Sequence, residues 1–436
     1  MVQANTFPRH GSYVDSGIDW LGEIPSDWSL ESIRAVTQLK SEKNRPALQV
    51  LSVYRDYGVI TKDSRDDNHN ATSLDTSGYK VVDEGDLVVN KMKAWQGSMG
   101  VSEHNGIVSP AYITCRVDAE RVYPKFLHYL LRSQPYIGAY NALSYGVRVG
   151  QWDMHYEDFK RIPLPLPDRT LQQRIANFLD QKTVEIEAAI AKKQRLTELL
   201  KEQKAILINQ AVTKGLNHDV PMRDSGVEWM GKIPEHWKIK QLRHLTTKIG
   251  SGVTPSGGAR VYLDEGALFI RSQNVHFDGL RLDDAKFIDF KTHKNMSNTQ
   301  LKKNDVLLNI TGASIGRSCV FNYSGEANVN QHVCIIRPKK EVIPQFLSSL
   351  FESRVGTEQV RLAQNGASRE GLTFADLRAF LIPVPPMKEQ MTIDKYISNI
   401  IENFSLTLST IEKEILMLLD YKQVLISEAV TGKIKV

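Results

Sequence analysis

The chain repeats itself, and this repeat limits the possible fold more than any other feature of the sequence. The segment DSGIDWLGEIPSDWSLESIR at 15–34 returns as DSGVEWMGKIPEHWKIKQLR at 224–243. Further matches follow in the same order: GDLVVNKMKAWQG with NDVLLNITGASIG, IPLPLP with IPVPPM, and ILINQAVT with VLISEAVT. A repeat of this extent means that one structural unit is built twice. We therefore expect two similar units, at about 15–216 and 224–433.

Each repeat predicts a mixed α+β domain followed by a long helix. Short β-type runs occur at 86–90, 107–116, 305–310 and 332–337, with helices near 124–133 and 344–353. The proline-rich IPLPLPD and IPVPPMK then end any helix and extend the chain. The predicted domains are a first globular domain at 15–167 (head 1), its helix at 168–216, a second globular domain at 217–387 (head 2), and its helix at 388–436.

The second predicted helix carries an apolar residue at every heptad position except Lys422, and the first carries the same stripe with more interruptions. The second runs from Gln390 to about Glu428 without Pro or Gly. A stripe this narrow needs another long helix, so we expect the two to pair as an antiparallel coiled coil with pseudo-two-fold symmetry. The alternative is an ordinary structural coiled coil. The expected pairing residues are Leu179, Ile186, Ile190, Leu200, Leu207, Ile397, Ile401, Phe404, Leu408, Ile411, Ile415, Leu418 and Leu425.

Polar residues interrupt this stripe at a few positions. Lys204 and Lys422 occupy the same heptad position in the two repeats, and Thr183, Lys193 and Thr197 interrupt the first repeat alone. These residues could face a partner helix, so two-helix packing is less firmly predicted there.

The middles of the two repeats scarcely align, although their ends match closely. Loops on a fixed scaffold differ in sequence when they bind different ligands, which would explain this difference. The alternative explanation is neutral drift of surface loops. Two dissimilar domains joined by a rigid helical spacer could bind a long polymer whose backbone has two-fold symmetry. Duplex DNA is the leading candidate for this ligand. The net charge of +5 and the pI of about 8.8 favour polyanions only mildly.

Polar and basic side chains near the predicted strand ends are the candidate DNA contacts. Arg and Lys suit phosphates and guanine edges, whereas Asn and Gln suit adenine. For any one of them, a solvated surface residue is an equally good interpretation. The candidates are Lys91, Lys93, Ser144, Tyr145, Arg148 and Gln151 in head 1, and Arg271, Gln273, Asn274, Arg317, Gln331 and Arg369 in head 2. The repeated tryptophans Trp20, Trp28, Trp229 and Trp237 are assigned to packing.

No catalytic, metal or membrane motif is present in the sequence. GVEWMGKI at 226–233 resembles a phosphate loop but ends in Ile233, where magnesium binding needs Ser or Thr. The three cysteines lack Cys-x-x-Cys spacing, no metal-ligand spacing occurs, and no apolar run reaches the ~18 residues of a membrane span. We therefore expect a non-catalytic cytoplasmic protein without a metal or a cofactor of its own.

The opening DSGxxWxGxIPxxW, the IPxPxP boundary followed by Gln172 or Gln390, and the repeated ILINQAVT/VLISEAVT ending resemble one family. That family comprises the specificity subunits of type I restriction-modification systems. The resemblance implies that each head is a target recognition domain for one half of a split DNA sequence. It also implies two methyltransferase subunits that carry S-adenosylmethionine and flip the target adenine, and motor-nuclease restriction subunits. The alternative is a scaffolding protein whose duplicated domains bind proteins.

Overall fold

The computed structural model describes residues 7–64, 75–144, 152–255, 257–365 and 371–436. The chain divides into two compact units. Unit 1 combines Met1–Lys193 with Glu412–Val436, and unit 2 is Gln194–Ile411. Each unit therefore contains one head and parts of both long helices.

Unit 1 contains a four-stranded antiparallel sheet in the order β4-β11-β8-β9, flanked by smaller strand pairs. Its strands are β1 (Tyr13–Asp15), β2 (Glu23–Pro25), β3 (Ser29–Ser32), β4 (Thr37–Lys40), β5 (Leu51–Tyr54), β6 (Gly58–Thr61), β7 (Lys80–Val82), β8 (Leu87–Asn90), β9 (Met99–Val101), β10 (Gly106–Val108), β11 (Tyr112–Val117) and β12 (Pro163–Leu166). Its helices are α1 (Ile33–Val36), α2 (Pro124–Leu131), α3 (Gln134–Leu143), α4 (Tyr156–Phe159), the first part of α5 (Arg169–Lys214) and the last part of α11 (Met387–Val430).

Unit 2 has the equivalent sheet in the order β16-β24-β21-β22, and a three-stranded sheet β20-β17-β23. Its strands are β13 (Met222–Asp224), β14 (Lys232–Pro234), β15 (Lys238–Gln241), β16 (Thr246–Ser251), β17 (Ala267–Ile270), β18 (Val275–His276), β19 (Gly279–Leu280), β20 (Lys286–Ile288), β21 (Val306–Asn309), β22 (Ser318–Val320), β23 (Ala327–Val329), β24 (Val333–Pro338) and β25 (Leu381–Val384). Its helices are the last part of α5, α6 (Leu242–Leu245), α7 (Phe290–Asn295), α8 (Pro344–Glu352), α9 (Arg354–Asn365), α10 (Phe374–Ala379) and the first part of α11 (Met387–Val430).

The predicted mixed fold and both long helices are confirmed, and two local predictions needed correction. The run predicted at 107–116 is two strands, β10 and β11, separated by a turn at 109–111. The proline-rich boundaries are also strands: β12 pairs with β3 and β25 pairs with β15, so each boundary segment is hydrogen-bonded to the opening motif of its own repeat.

The repeated tryptophans pack in the cores, as predicted. Trp28 and Trp237 are buried, and Trp20 and Trp229 lie against the same clusters. Trp28 packs in unit 1 with residues from the end of α11, including Leu425 and Val430. The hydroxyl of Tyr13 donates to the carbonyl of Gly432 at 3.0 Å, and the amide of Lys435 donates to Pro8 at 2.7 Å. Both ends of the described chain therefore belong to one core.

A buried carboxylate at the start of the central strand is neutralised differently in the two heads. In unit 1, the ammonium of Lys40 on β4 lies 2.6 Å from Asp86 and 2.7 Å from Asp83. Burial opposes the charge of Lys40, but the hydrogen bonds to both carboxylates outweigh it and raise its pKa. In unit 2, Asp305 instead receives two hydrogen bonds of 2.7 Å from the guanidinium of Arg337 on β24.

A matched glutamine joins each long helix to its head. Gln172 accepts from the amide of Tyr123 at 2.8 Å and donates to the carbonyls of Arg121 and Pro167. Gln390 makes the same three bonds in unit 2, to Ile343, Glu341 and Pro385. Each glutamine is 1% exposed. This side chain thus fixes the helix start against two other segments of the domain.

The predicted apolar stripe is the covered side of each long helix. Every predicted pairing residue is buried or half-buried, whereas Leu196, Leu199 and Leu416 between them are exposed. In unit 1, Leu179 and Ile186 of α5 share a core with Leu425 of α11. In unit 2, Leu207 lies against a core that contains Ile397.

The polar residues in the stripe have local partners. Thr183 donates its hydroxyl to the carbonyl of Leu179 at 2.7 Å. Lys193 lies 2.6 Å from Glu414, and Lys422 lies 2.5 Å from Glu187. In unit 2, Lys204 lies 3.9 Å from the half-buried Glu352. Among the described residues, no helix is both long and apolar enough to cross a membrane.

Head 1 contains a histidine that should make unit 1 sensitive to mild acid. Burial and the neighbouring Arg132 lower the pKa of His128 to about 4, and its Nε2 accepts from Arg132 at 2.6 Å. The unfolded chain binds this proton near pH 6.5, so unit 1 loses stability as pH falls from that value. We expect a loss of roughly 1–2 kcal/mol between pH 7 and pH 5.

Hydrogen exchange of the α2 and β9 amides would measure this loss. The equivalent position in head 2 is Ser348 on α8, so the amides of α8 provide the internal control. Equal loss of protection in both heads would contradict the assignment to His128.

Candidate nucleic-acid interface

The central strand of each head ends in an asparagine, followed by a loop at the same end of the sheet. Asn90 ends β8 and Asn309 ends β21. The loops contain Gly97 and Gly316, whose φ values of 83° and 85° lie in the left-handed region that glycine adopts without strain. Loops that vary on such a conserved frame are the natural place for a variable binding surface.

In head 2, Asn309 ties two of these loops together. It is fully buried, and its amide nitrogen donates to the carbonyl of Ser272 at 2.8 Å and to the hydroxyl of Ser314 at 3.0 Å. Ser272 lies between the candidate contacts Arg271 and Gln273. Asn309 therefore positions both loops and does not reach a ligand itself.

A tight turn between β23 and β24 lies beside these loops, and we call residues 330–332 the head 2 tip. Asn330 accepts from the amide of His332 at 3.1 Å and donates its own amide to Ile270 at 3.0 Å. Gln331 is exposed at the centre of the turn, hydrogen-bonded to Thr254 and, at 3.0 Å, to the ring of His332. The other ring nitrogen of His332 lies 2.6 Å from the hydroxyl of Thr311.

The loop of head 1 carries charge and aromatic surface instead. Lys91 lies 3.2 Å from Asp153, and its carbonyl accepts from the amide of Met154 at 2.9 Å. Trp95 and Trp152 meet edge to face with ring centroids 5.2 Å apart. Neither Trp152 nor Asp153 is a predicted contact, because only the fold brings them beside the loop at 91–97.

The structure places the predicted DNA contacts in three groups. Lys93, Gln273 and Gln331 are exposed, and Lys91, Arg271 and Arg317 are half-exposed beside them. Asn274 and Ser144 have buried side chains, so the structure does not bring them to this surface. Asn274 instead binds Arg271, Arg281 and Asp284 within its own loop. Tyr145, Arg148, Gln151 and Arg369 lie outside the described residues.

Part of the chain matches a known protein family, and longer stretches are similar in sequence to two curated proteins. Residues 234–417 match the family described as the type I restriction modification DNA specificity domain. The EcoBI specificity subunit, of a type I restriction enzyme from Escherichia coli, is 24% identical over 324 residues, covering 72% of this chain and 66% of that protein. The putative MjaX specificity subunit from Methanocaldococcus jannaschii is 22% identical over 439 residues, covering 95% and 96%.

Solved structures show the same fold. A chain from a type I R-M system, solved to explain complex assembly and conformational transition, has a TM-score of 0.70 at 16% identity, covering 93% of this chain and 98% of that one. The HsdS subunit from Thermoanaerobacter tengcongensis has a TM-score of 0.54 at 16% identity, covering 94% and 98%.

The matched domain, the curated relatives and the fold all resemble those of type I restriction-modification specificity subunits. The resemblance predicted from the repeated motifs is confirmed: this chain is a relative of type I restriction enzyme specificity subunits. These relatives are named as specificity subunits of restriction enzymes, which favours the prediction that the chain has no catalytic activity of its own.

Proposed function

We propose that this chain is the DNA specificity subunit of a type I restriction-modification complex and that each head reads one half of a bipartite target. The observation that carries the proposal is the contrast between a shared frame and unlike loops. The frame keeps Asn90 and Asn309 in the same register, opposite Tyr112 and Val333. The loop beyond Asn90 carries two lysines and the Trp95–Trp152 pair, whereas the surface beyond Asn309 combines Arg271 and Arg317 with amides, hydroxyls and an imidazole.

In this proposal the long helices pair as an antiparallel coiled coil with pseudo-two-fold symmetry. The ion pairs within unit 1 support the pairing. Lys193 of α5 meets Glu414 of α11, while Glu187, earlier on α5, meets Lys422, later on α11. Contacts that advance along one helix as they retreat along the other are those of antiparallel helices. The exposed pairs add little stability and mainly set the register.

The proposed partners are duplex DNA, two methyltransferase subunits and the restriction subunits, in the cytoplasm. S-adenosylmethionine would bind in the methyltransferase subunits and not in this chain. The names of the relatives favour this assembly over a scaffold with duplicated protein-binding domains.

Replacing residues 35–160 with the corresponding segment of another family member should change only one half of the recognised sequence. The segment carries the variable surface of head 1 but leaves the helices and head 2 intact. Mapping of methylated adenines in a host expressing the chain with its methyltransferase subunits would reveal both half-sites. A change in both halves would contradict separate reading by the two heads, and so would no change at all in a complex that still methylates.

A further inference from the structure

We infer that Gln331 reads an adenine in the half-site of head 2, and that Thr254 and His332 hold its amide in the reading orientation. This inference rests on the proposed function and names the residue that performs part of it.

A single assignment of donors and acceptors accounts for the side-chain hydrogen bonds of Gln331 and His332. The hydroxyl of Thr254 donates to Oε1 of Gln331, and Nε2 of Gln331 donates to Nε2 of His332 over 3.0 Å. The imidazole then carries its proton on Nδ1 and donates to the hydroxyl of Thr311 over 2.6 Å. Both ends of the Gln331 amide are thereby fixed from within the protein.

Although the Gln331 amide is hydrogen-bonded within the protein, it still has a donor and an acceptor that can bind the edge of a base. A glutamine amide has two N–H donors and two acceptor lone pairs. The contacts to Thr254 and His332 use one of each, which leaves one donor and one acceptor on an exposed side chain. Adenine presents an N7 acceptor and an N6 donor in the major groove, and a glutamine pairs with both at once.

The backbone beneath the tip is tightly constrained. A Cβ added to Gly252 would lie 1.7 Å from the carbonyl oxygen of Val329, so the segment that carries Thr254 passes directly against β23. The amide of Asn330 donates to Ile270 at 3.0 Å on the other side. An orientation fixed before binding avoids part of the entropy cost of ordering a free glutamine on DNA.

The equivalent turn of head 1 has no such side chain. Because Tyr112 lies opposite Asn90 as Val333 lies opposite Asn309, the tip residues align with Ser109, Pro110 and Ala111. Proline and alanine offer no amide to a base edge. The inferred contact therefore belongs to head 2 alone, as expected if the heads read different sequences.

The test uses the full chain assembled with its methyltransferase subunits, and a pool of duplexes in which each half-site is randomised in turn. For Gln331→Ala, we expect the preference for adenine at one position of one half-site to fall about tenfold to a hundredfold. The other half-site and the binding of unrelated duplexes should be unchanged. Gln423→Ala, which removes another exposed glutamine, is the matched control.

A second pair of variants tests the positioning role of Thr254. Thr254→Val keeps the shape but removes the hydroxyl, and it should weaken the same adenine preference without changing the binding of unrelated duplexes. Thr254→Ser restores the hydroxyl and should restore the preference.

The outcomes separate the inference from the proposed function. If the unaltered complex shows no preference among duplexes, the proposed function itself fails. If that complex has a bipartite preference and Gln331→Ala leaves every position unchanged, or alters a position that is not adenine, the inference is wrong.

Discussion

Replacing Arg337 with leucine should lower the free energy of unfolding of unit 2 by about 3–5 kcal/mol. Asp305 is 1% exposed, and both of its carboxylate oxygens accept from the Arg337 guanidinium. Removing the cation leaves a carboxylate buried without its partner, which costs much more than the loss of an exposed ion pair. Hydrogen exchange of β21 and β24 amides, compared with those of β8 and β11, would measure the loss and locate it.

The repeat supplies the matched control for this experiment. Arg116 occupies the same register position on β11, because Cys115 lies opposite Leu87 as Ile336 lies opposite Val306. Arg116 is exposed, since Lys40 already neutralises Asp86. Arg116→Leu should therefore change stability by no more than about 0.5 kcal/mol. Equal losses from the two arginine substitutions would show that the buried pair is not the cause.

Gln390→Leu should destabilise unit 2 by a similar amount, about 3–5 kcal/mol. The substitution leaves the amide of Ile343 and the carbonyls of Glu341 and Pro385 without the partner that satisfies them now. Each buried polar group left without a partner costs about 1–3 kcal/mol. Leucine has a volume close to that of glutamine, so a cavity contributes little. Denaturant unfolding followed by hydrogen exchange would report the size and place of the loss.

The equivalent change in unit 1 provides a reciprocal test. Gln172→Leu should destabilise unit 1 to the same degree, because Gln172 makes the same three bonds to Tyr123, Arg121 and Pro167. Gln181→Leu on the exposed face of α5 removes only a bond to Glu185 and serves as the control. If Gln390→Leu behaved like Gln181→Leu, the three bonds would contribute little to holding the helix against the head.

The sequence repeat predicted much of this architecture because residues that align between the two repeats occupy equivalent positions in the two units. Asp86 and Asp305 align in sequence and occupy the same buried position, and Asn90 and Asn309 end the same strand. The partners of the two aspartates were not predictable. Choosing between a lysine on β4 and an arginine on β24 requires the strand register, which no local pattern encodes.

The candidate interface was predicted less completely, for a related reason. Gln331 stood out as a polar residue near a strand end, but its contact with Thr254 joins residues 77 positions apart. Asn274 lies in an equally polar run and is buried, because the loop folds back on Asp284. Residue type indicates what a side chain can bind, whereas only the folded loop determines which way it faces.

The core of unit 1 is closed by residues from the far end of the chain, among them Leu425, Val430 and Ile434. During synthesis the first head leaves the ribosome long before these residues exist, and the sheet of the second head is made in the interval. Part of the apolar surface of unit 1 therefore stays uncovered until the end of α11 has been translated. A nonsense codon in the last turns of α11 would thus damage the domain that was translated first.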